Sequence, residues 1–395
     1  MRLSHSAHAL TSQVEILSSL FLRHRKQQQA FALWRQPGSI QKHFLVCTQN
    51  VLEINEFLIE DSQPGFVFAP FDTTKNKLFL TADRVYSFSD HDPLEHKFTQ
   101  KEFTELTTAF SAEEKKELVH YPIQTSHTAG DKQAYLNLVQ QSIDFIQHGH
   151  AEKIVPSRAT TFELDRDLDV VETFNKLCEL YPNAMVSLVS IPEVGTWLGA
   201  TPELLVSIDA SKCFRTAALA GTQSYDPSMD LRDVAWTQKN IEEQALVSRY
   251  IINCFKKIRL RDFKEHGPKT FLAGNLIHLK TDFEADIVGT GFPQLGSQML
   301  TLLHPTSAVC GTPLVASREF LYNHEGFDRQ FYSGFLGPVN FRNETHVFVN
   351  LRCLQILKDR LILYAGAGVT TDSIPEKEWE ETEMKMDTLL RVITS

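Results

Sequence analysis

No stretch of this chain approaches the roughly 18 consecutive apolar residues of a membrane span, so a transmembrane protein is not expected. Cysteine is sparse and scattered, at 47, 178, 213, 254, 310 and 353. Without a CxxC pair or a compact framework these residues read as reduced thiols, which points to the cytoplasm. Positive charge is short as well, 39 Lys and Arg against 49 Asp and Glu, and the net charge is −10. No basic tract offers a nucleic-acid surface, and an anionic ligand would have to be met by local cations or a metal. Internal repeats, low-complexity linkers and a signal-like N-terminus are missing; residues 14–22 are apolar but broken by serines and read as an amphipathic helix. What remains is a soluble composition, 42% hydrophobic over 395 residues, which is read as one domain spanning 1–395.

The order of patterns indicates α+β. A helix is expected over 9–28, strands at 31–38, 65–70 and 77–88, and a helix opened by Asp131 and closed at Gly149. KIVPS (153–157) reads as a strand. Ala184 to Ser190, Thr196 to Ala200, Leu204 to Ile208 and Phe214 to Leu219 make a strand-rich middle, followed by a long helix over 232–257. Residues 256–269 form a basic, loop-like patch, 275–283 a strand, 293–303 a helix, and a Gly-rich segment runs to Leu336. Val347 to Leu354 and Arg360 to Tyr364 resemble a terminal hairpin. Short gaps and no βαβ rhythm favour antiparallel sheets. Asp90 to Thr125 is polar and carries no recognisable chemistry.

The stretch LILYAGAGVTTDSIPEKEWEETEMK (361–385) reads as strand, glycine turn, helix. Gly366 and Gly368 permit positive φ or close backbone approach. Ser373, three residues before Glu376 and with Pro375 in the first turn, has the pattern of a helix cap. On the helix, Glu378, Glu381 and Lys385 share one face that continues into Leu389, flanked by the apolar stripe of Trp379, Met386, Leu390 and Ile393. A solvated face is the plain alternative. The preceding turn, which could hold an anion, favours a cleft instead.

Three further turns have unusual composition: GATPELL (199–205), LAGT (219–222) and LHPTSAVCGTP (303–313). With YAGAG, EWEET, KIVPSR (153–158), FDRQFYSG (327–334) and LRC (351–353), they make the chain resemble the chorismate-utilising enzymes. That family includes isochorismate, salicylate, anthranilate and aminodeoxychorismate synthases. The resemblance covers about 131–393, with 1–130 as a variable N-terminal part. It implies two large antiparallel β-sheets stacked as a sandwich, helices outside, and an active site in the cleft between them.

The resemblance also implies roles. Mg²⁺ would suit a dianionic substrate, since it prefers carboxylate oxygens. Its direct ligands would be Glu243 and Glu381, with Glu378 nearby. Arg352, alternating with Leu351 and Cys353 on an expected strand, and Lys385 would contact the enolpyruvyl carboxylate, with Tyr332 as a hydroxyl donor. The amides of Gly221, Thr222 and Gly368 would hold the ring carboxylate, and His304 would lie beside it. Lys153 marks the branches that add water at C2, where the ammonia-using anthranilate enzymes usually carry glutamine. Glu203 matches the acid that protonates the departing C4 hydroxyl.

The expected activity is therefore an isochorismate synthase, a Mg²⁺-dependent isomerase acting on chorismate without an obligatory protein partner and feeding menaquinone or siderophore synthesis. Salicylate synthases commonly have threonine where this chain has Ala220, and the aminodeoxychorismate branch usually shows PIAGT where this chain has Ala218. Gln244 and Asn240 depart from the family's usual histidine and acidic residue. From a different class, a nucleotide-binding module is suggested by strand, AGAG and helix, although Thr371 leaves GxGxxG incomplete.

Overall fold

The computed structural model describes residues 12–89, 98–106, 110, 114, 131–164, 168–226, 230–273 and 276–394. Most of Asp90 to Thr125 therefore lies outside the described residues, as do positions 9–11 of the first expected helix.

Two antiparallel sheets carry the fold. In the eight-stranded sheet the order is Arg84–Phe88, Lys42–Cys47, Ala30–Arg35, Met185–Ile191, Gly195–Thr201, Cys353–Ile356, Arg360–Gly366 and Ser157–Glu163. The nine-stranded sheet runs Lys264–Ala273, Leu276–Asp286, Cys213–Ser224, Leu204–Ile208, Thr345–Val349, Phe335–Val339, Gly65–Ala69, Lys77–Thr81 and Leu52–Ile54. A two-stranded ribbon joins Lys153–Ile154 to Gly311–Thr312.

Alternation along the strands explains the layers. In Ala30–Arg35, the residues Ala30, Ala32 and Trp34 enter a core shared with Phe66, Phe68, Leu336 and Phe348 of the other sheet. Phe31 and Leu33 point the opposite way, against the helices Gln13–Lys26, Val170–Leu180 and Pro375–Ile393. The outer face of the nine-stranded sheet is covered by Gln238–Lys257 and Leu295–Leu303. This is the expected sandwich with helices outside.

Several boundaries differ from the sequence reading. Val347 to Leu354 is two strands in different sheets, and only Cys353–Ile356 pairs with Arg360–Gly366. The chain crosses between sheets at Asn350 to Arg352, and Arg352 lies at the crossing with φ 45° instead of within a strand. The basic patch over 256–269 starts in the last turn of the helix Gln238–Lys257 and ends in the edge strand Lys264–Ala273, whose first six residues are exposed. The long helix starts at Gln238, capped by Thr237, after a 3-10 turn at Leu231–Asp233. The helices Gln100–Leu106, Val170–Leu180, Ile287–Thr290 and Leu314–His324 were not anticipated. The final helix begins at Pro375 with Ile374 at its cap position and no side-chain cap. Ser373 accepts from the Thr370 amide instead, because it sits one residue too early.

Candidate active site

Two of the chain's sheet crossings meet at one corner. The chain leaves the eight-stranded sheet at Thr201 and enters the nine-stranded one at Leu204, and beside it Asn350 to Arg352 makes the reverse passage. The crossings are tied by Ala200 N to the Arg352 carbonyl (3.0 Å), Val349 N to the Glu203 carbonyl (2.9 Å) and Thr201 Oγ1 to the Val349 carbonyl (2.6 Å). Gly199 is required here, since a Cβ would stand 2.9 Å from Cys353 Cβ and 3.0 Å from the Arg352 carbonyl oxygen. The corner thus sets Glu203 beside Arg352.

Glu203 is buried. Burial pushes its carboxyl up to about 7, opposed by a hydrogen bond from Thr306 Oγ1 at 3.1 Å and by the charges of Lys153, Arg352 and Lys385. It is a carboxylic acid poised at neutral pH. Burial lowers the pKa of Arg352, against the fields of Tyr332, Glu381 and Glu203.

Lys153 is 0% exposed, and its Nζ donates to Glu243 Oε1 at 2.7 Å. The other oxygen of Glu243 accepts from the Gly221 amide at 3.2 Å. Burial raises the Glu243 carboxyl, but Lys153, with Lys385 and Lys239 beyond, holds it below the usual range. Gly368 closes the contact: a Cβ there would lie 2.5 Å from Glu243 Oε1 and 3.0 Å from Lys153 Cε. Close approach, not positive φ, is what this glycine provides, whereas Gly221 has φ 70° at a register shift in its strand.

Lys385 Nζ donates to Glu381 Oε1 at 2.6 Å and to the Gly366 carbonyl at 2.8 Å. The same glycine faces the Tyr332 hydroxyl, 3.3 Å from where its Cβ would be. Tyr332 stacks on Tyr364, and burial pushes its hydroxyl up to about 12. Glu378 is 1% exposed; its Oε1 is paired with Lys239 while its Oε2 has no partner. Its carboxyl is raised by burial, offset in part by Lys239 and reinforced by the Glu381 charge.

The structure therefore gathers Lys153, Glu203, Gly221, Arg352, Gly368, Lys385, Glu243, Glu378, Glu381 and Tyr332. It does not bring His304 into this network. His304 Nε2 bonds the Pro70 carbonyl at 3.1 Å and its ring lies edge-on to Phe335, with Lys77 and Arg318 as its charged neighbours. The histidine at the site is His278. Its Nδ1 lies 2.9 Å from the Gly221 carbonyl oxygen and 3.4 Å from Thr222 Oγ1, and its buried Nε2 has no partner. Burial, with Arg352 and Lys385 nearby, lowers its pKa to about 3, so the ring is neutral.

Sequence reasoning also missed Thr306 and Lys239. A histidine amid the apolar residues of 276–279 was an available signal for His278, and Thr306 lies in the quoted turn LHPTSAVCGTP; nothing local marked Lys239. Gln244 Nε2 donates to the Ala218 carbonyl and to Thr281 Oγ1 while its buried Oε1 has no partner, and Asn240 Oδ1 accepts from Thr237 at the helix cap.

Whether a divalent ion fits can be judged from the donors. Glu243, Glu381 and Glu378 supply the carboxylate oxygens a hard cation prefers, and Glu378 Oε2 is buried and unpaired. Each of the three is held by a lysine in this structure, and no ready cage of three His, Cys, Asp or Glu side chains exists among the described residues. The residues fit such an ion, with lysines as the competing cations.

The sequence model of the chorismate binding enzymes matches residues 68–394. Isochorismate synthase DhbC of Bacillus subtilis (strain 168) is 30% identical over 297 residues, which cover 69% of this chain and 74% of that protein. Isochorismate synthase EntC of Escherichia coli (strain K12) is 29% identical over 247 residues, 61% of this chain and 62% of that protein. Among solved structures, the menaquinone-specific isochorismate synthase MenF from Escherichia coli superposes with a TM-score of 0.73 at 22% identity, covering 98% of this chain and 92% of that one. A second, anthranilate synthase component I from Streptococcus pneumoniae TIGR4, gives 0.65 at 16%, over 91% and 89%. At these identities the structures speak for the fold.

Proposed function

The chain belongs to the chorismate binding enzymes, and from that premise we propose that it is an isochorismate synthase, an isomerase converting chorismate to isochorismate. The observation that carries this reading is that a fully buried Lys153 lies within electrostatic reach of a buried Glu203 whose carboxyl burial pushes up to about 7. Water addition at C2 with loss of the C4 hydroxyl needs one group to take a proton and another to give one.

In the proposed reaction Lys153 Nζ takes a proton from water while the water oxygen bonds to C2. The ring double bond shifts, the C4–O bond breaks, and Glu203 gives its proton to the departing hydroxyl, so one water enters and one leaves. Arg352 and Lys385 bind the enolpyruvyl carboxylate, with Tyr332 donating a hydrogen bond. Gly221, Thr222 and Gly368 line the ring carboxylate. Glu243 and Glu381 would hold Mg²⁺, with Glu378 behind them; the ion would neutralise and orient a substrate carboxylate. The product would serve menaquinone or siderophore synthesis; relatives are named menaquinone-specific and vibriobactin-specific.

Proton NMR of purified protein mixed with chorismate and Mg²⁺, with an EDTA control, tests the reading. Isochorismate in equilibrium with chorismate, without pyruvate, is expected. Salicylate with stoichiometric pyruvate, or turnover only with ammonia, would reject it.

A further inference from the structure

The ribbon strand carrying Lys153, the loop carrying Thr306 and the segment carrying Tyr332 are distant in sequence, and one buried ion pair joins all three. The side chains of Arg329 and Glu325 are 2% and 4% exposed. Arg329 Nε and Nη2 donate to the two oxygens of Glu325 at 2.7 and 2.6 Å, a fork on a carboxylate. Nη1 also donates to the Val309 carbonyl at 2.8 Å, and Nη2 to the Val155 carbonyl at 2.7 Å. Glu325 Oε1 accepts from Ser157 N and Oγ at 2.7 and 2.8 Å. The guanidinium lies over the Phe71 ring, and the Arg329 carbonyl accepts from the Tyr332 amide at 3.0 Å.

Val155 is two residues past Lys153, Val309 three past Thr306, and Tyr332 three past Arg329. A buried ion pair contributes little net stability once desolvation is counted, and fixing register is its best-attested use. We propose that Arg329, oriented by Glu325, is a positioning residue that registers the Lys153 strand against the Thr306 loop, so that Lys153 and Glu203 face one reacting centre. The inference rests on the proposed reaction. Lysine at position 329 could keep the charge, but its three donors on one nitrogen cannot reproduce the two-point fork on Glu325 together with both carbonyl bonds.

The test compares Arg329→Lys with Arg35→Lys. Arg35 is equally buried and donates to the carbonyls of Gln36, Cys178, Tyr181, Pro182 and Ala184, none in the site segments. With the folded fraction fixed by circular dichroism, Arg329→Lys should lose kcat by about 10- to 100-fold, with KM within about threefold, as misplaced groups do. Arg35→Lys should lower Tm and leave the kcat of folded protein unchanged. Independently of activity, amide exchange in peptides covering 153–157 and 306–312 should accelerate together in Arg329→Lys only. Unchanged kcat in folded Arg329→Lys, or equal losses in both variants, would overturn the proposal. If Arg329→Lys does not fold, Ser157→Ala replaces it: a several-fold fall in kcat alone supports the proposal and no fall rejects it. A wild-type protein that leaves chorismate unconverted would refute the reaction, and the exchange data alone would then decide the clamp.

Discussion

At the scale of single residues, Glu203 decides most. Its carboxyl moves from an ordinary 4.5 to about 7 because burial costs the anion more than Thr306, Lys153, Arg352 and Lys385 return. Between those values the folded protein binds a proton that the unfolded chain has released, so stability from this group falls as pH rises from about 4.5 to 7. Glu203→Gln should therefore match wild type in urea melts at pH 4 and exceed it at pH 8 by up to about 3 kcal/mol; equal stability at both pH values would reject a raised carboxyl. In kinetics, Glu203→Gln and Lys153→Ala should lose at least about 100-fold in kcat while still binding chorismate in calorimetry, since both act on the transition state. Full activity in Lys153→Ala would remove it as the base. Residue types at the site were legible because rare turns carried them, as in GATPELL and LAGT. His278 was not. Its place depends on pairing between Leu276–Asp286 and Cys213–Ser224, which brings it to Gly221 across 57 positions.

At the scale of elements, the final helix shows how far periodicity reaches. Glu378, Glu381 and Lys385 do share one face, and that face does look inward, because Met386 and Leu389 pack on the eight-stranded sheet while Glu378 is 1% exposed. Its start was misread because Ser373 fits the cap pattern one position too early, and the polar hydrogen bond it makes is to Thr370. The two longest helices that escaped notice did so for different reasons: Leu314–His324 follows a loop rich in turn residues, and Val170–Leu180 follows a stretch whose signal is mostly charge. The strand over 347–354 was read as one because both halves are apolar; only the crossing at Arg352 separates them, and φ 45° at an arginine has no local signature. Glycine contacts give a sharp expectation. Gly368→Ala would push a methyl to 2.5 Å from Glu243 Oε1, in backbone that tolerates alanine, so activity should fall by more than about tenfold with Tm changed by only a few degrees. Unaltered turnover would mean Lys153 and Glu243 have room that the structure denies. Glu381→Ala, by contrast, frees Lys385 and removes a carboxylate, and should weaken both Mg²⁺ and chorismate binding in calorimetry. Unchanged Mg²⁺ affinity would strike Glu381 from the ligands.

At the scale of the whole molecule, the N-terminal part is the informative region. The quoted motifs all lie beyond residue 150, yet the family match begins at residue 68 and the strands before residue 131 build both sheets. Ala30–Arg35, Lys42–Cys47 and Arg84–Phe88 extend the eight-stranded sheet, and Leu52–Ile54, Gly65–Ala69 and Lys77–Thr81 the nine-stranded one. Trp34, Leu45, Phe66 and Phe68 then meet Met185, Trp197, Leu336 and Phe348 in the layer between the sheets. That contribution was hard to see in sequence, because antiparallel partners such as Ala30–Arg35 and Met185–Ile191 lie about 150 residues apart and no local pattern names a partner. The energetic consequence is direct. Each large apolar side chain withdrawn from water contributes on the order of 2–3 kcal/mol, so a chain starting at residue 131 would expose Met185, Trp197, Leu336 and Phe348 and lose roughly 8–12 kcal/mol, as much as the whole net stability of a typical domain. Such a truncation should be insoluble or lack a cooperative melt, and the full chain should unfold in one calorimetric transition whose van't Hoff and calorimetric enthalpies agree. A soluble 131–395 fragment with a sharp melt would show that the sandwich closes without its N-terminal strands, and that the shared layer is a later addition to a core that stands alone.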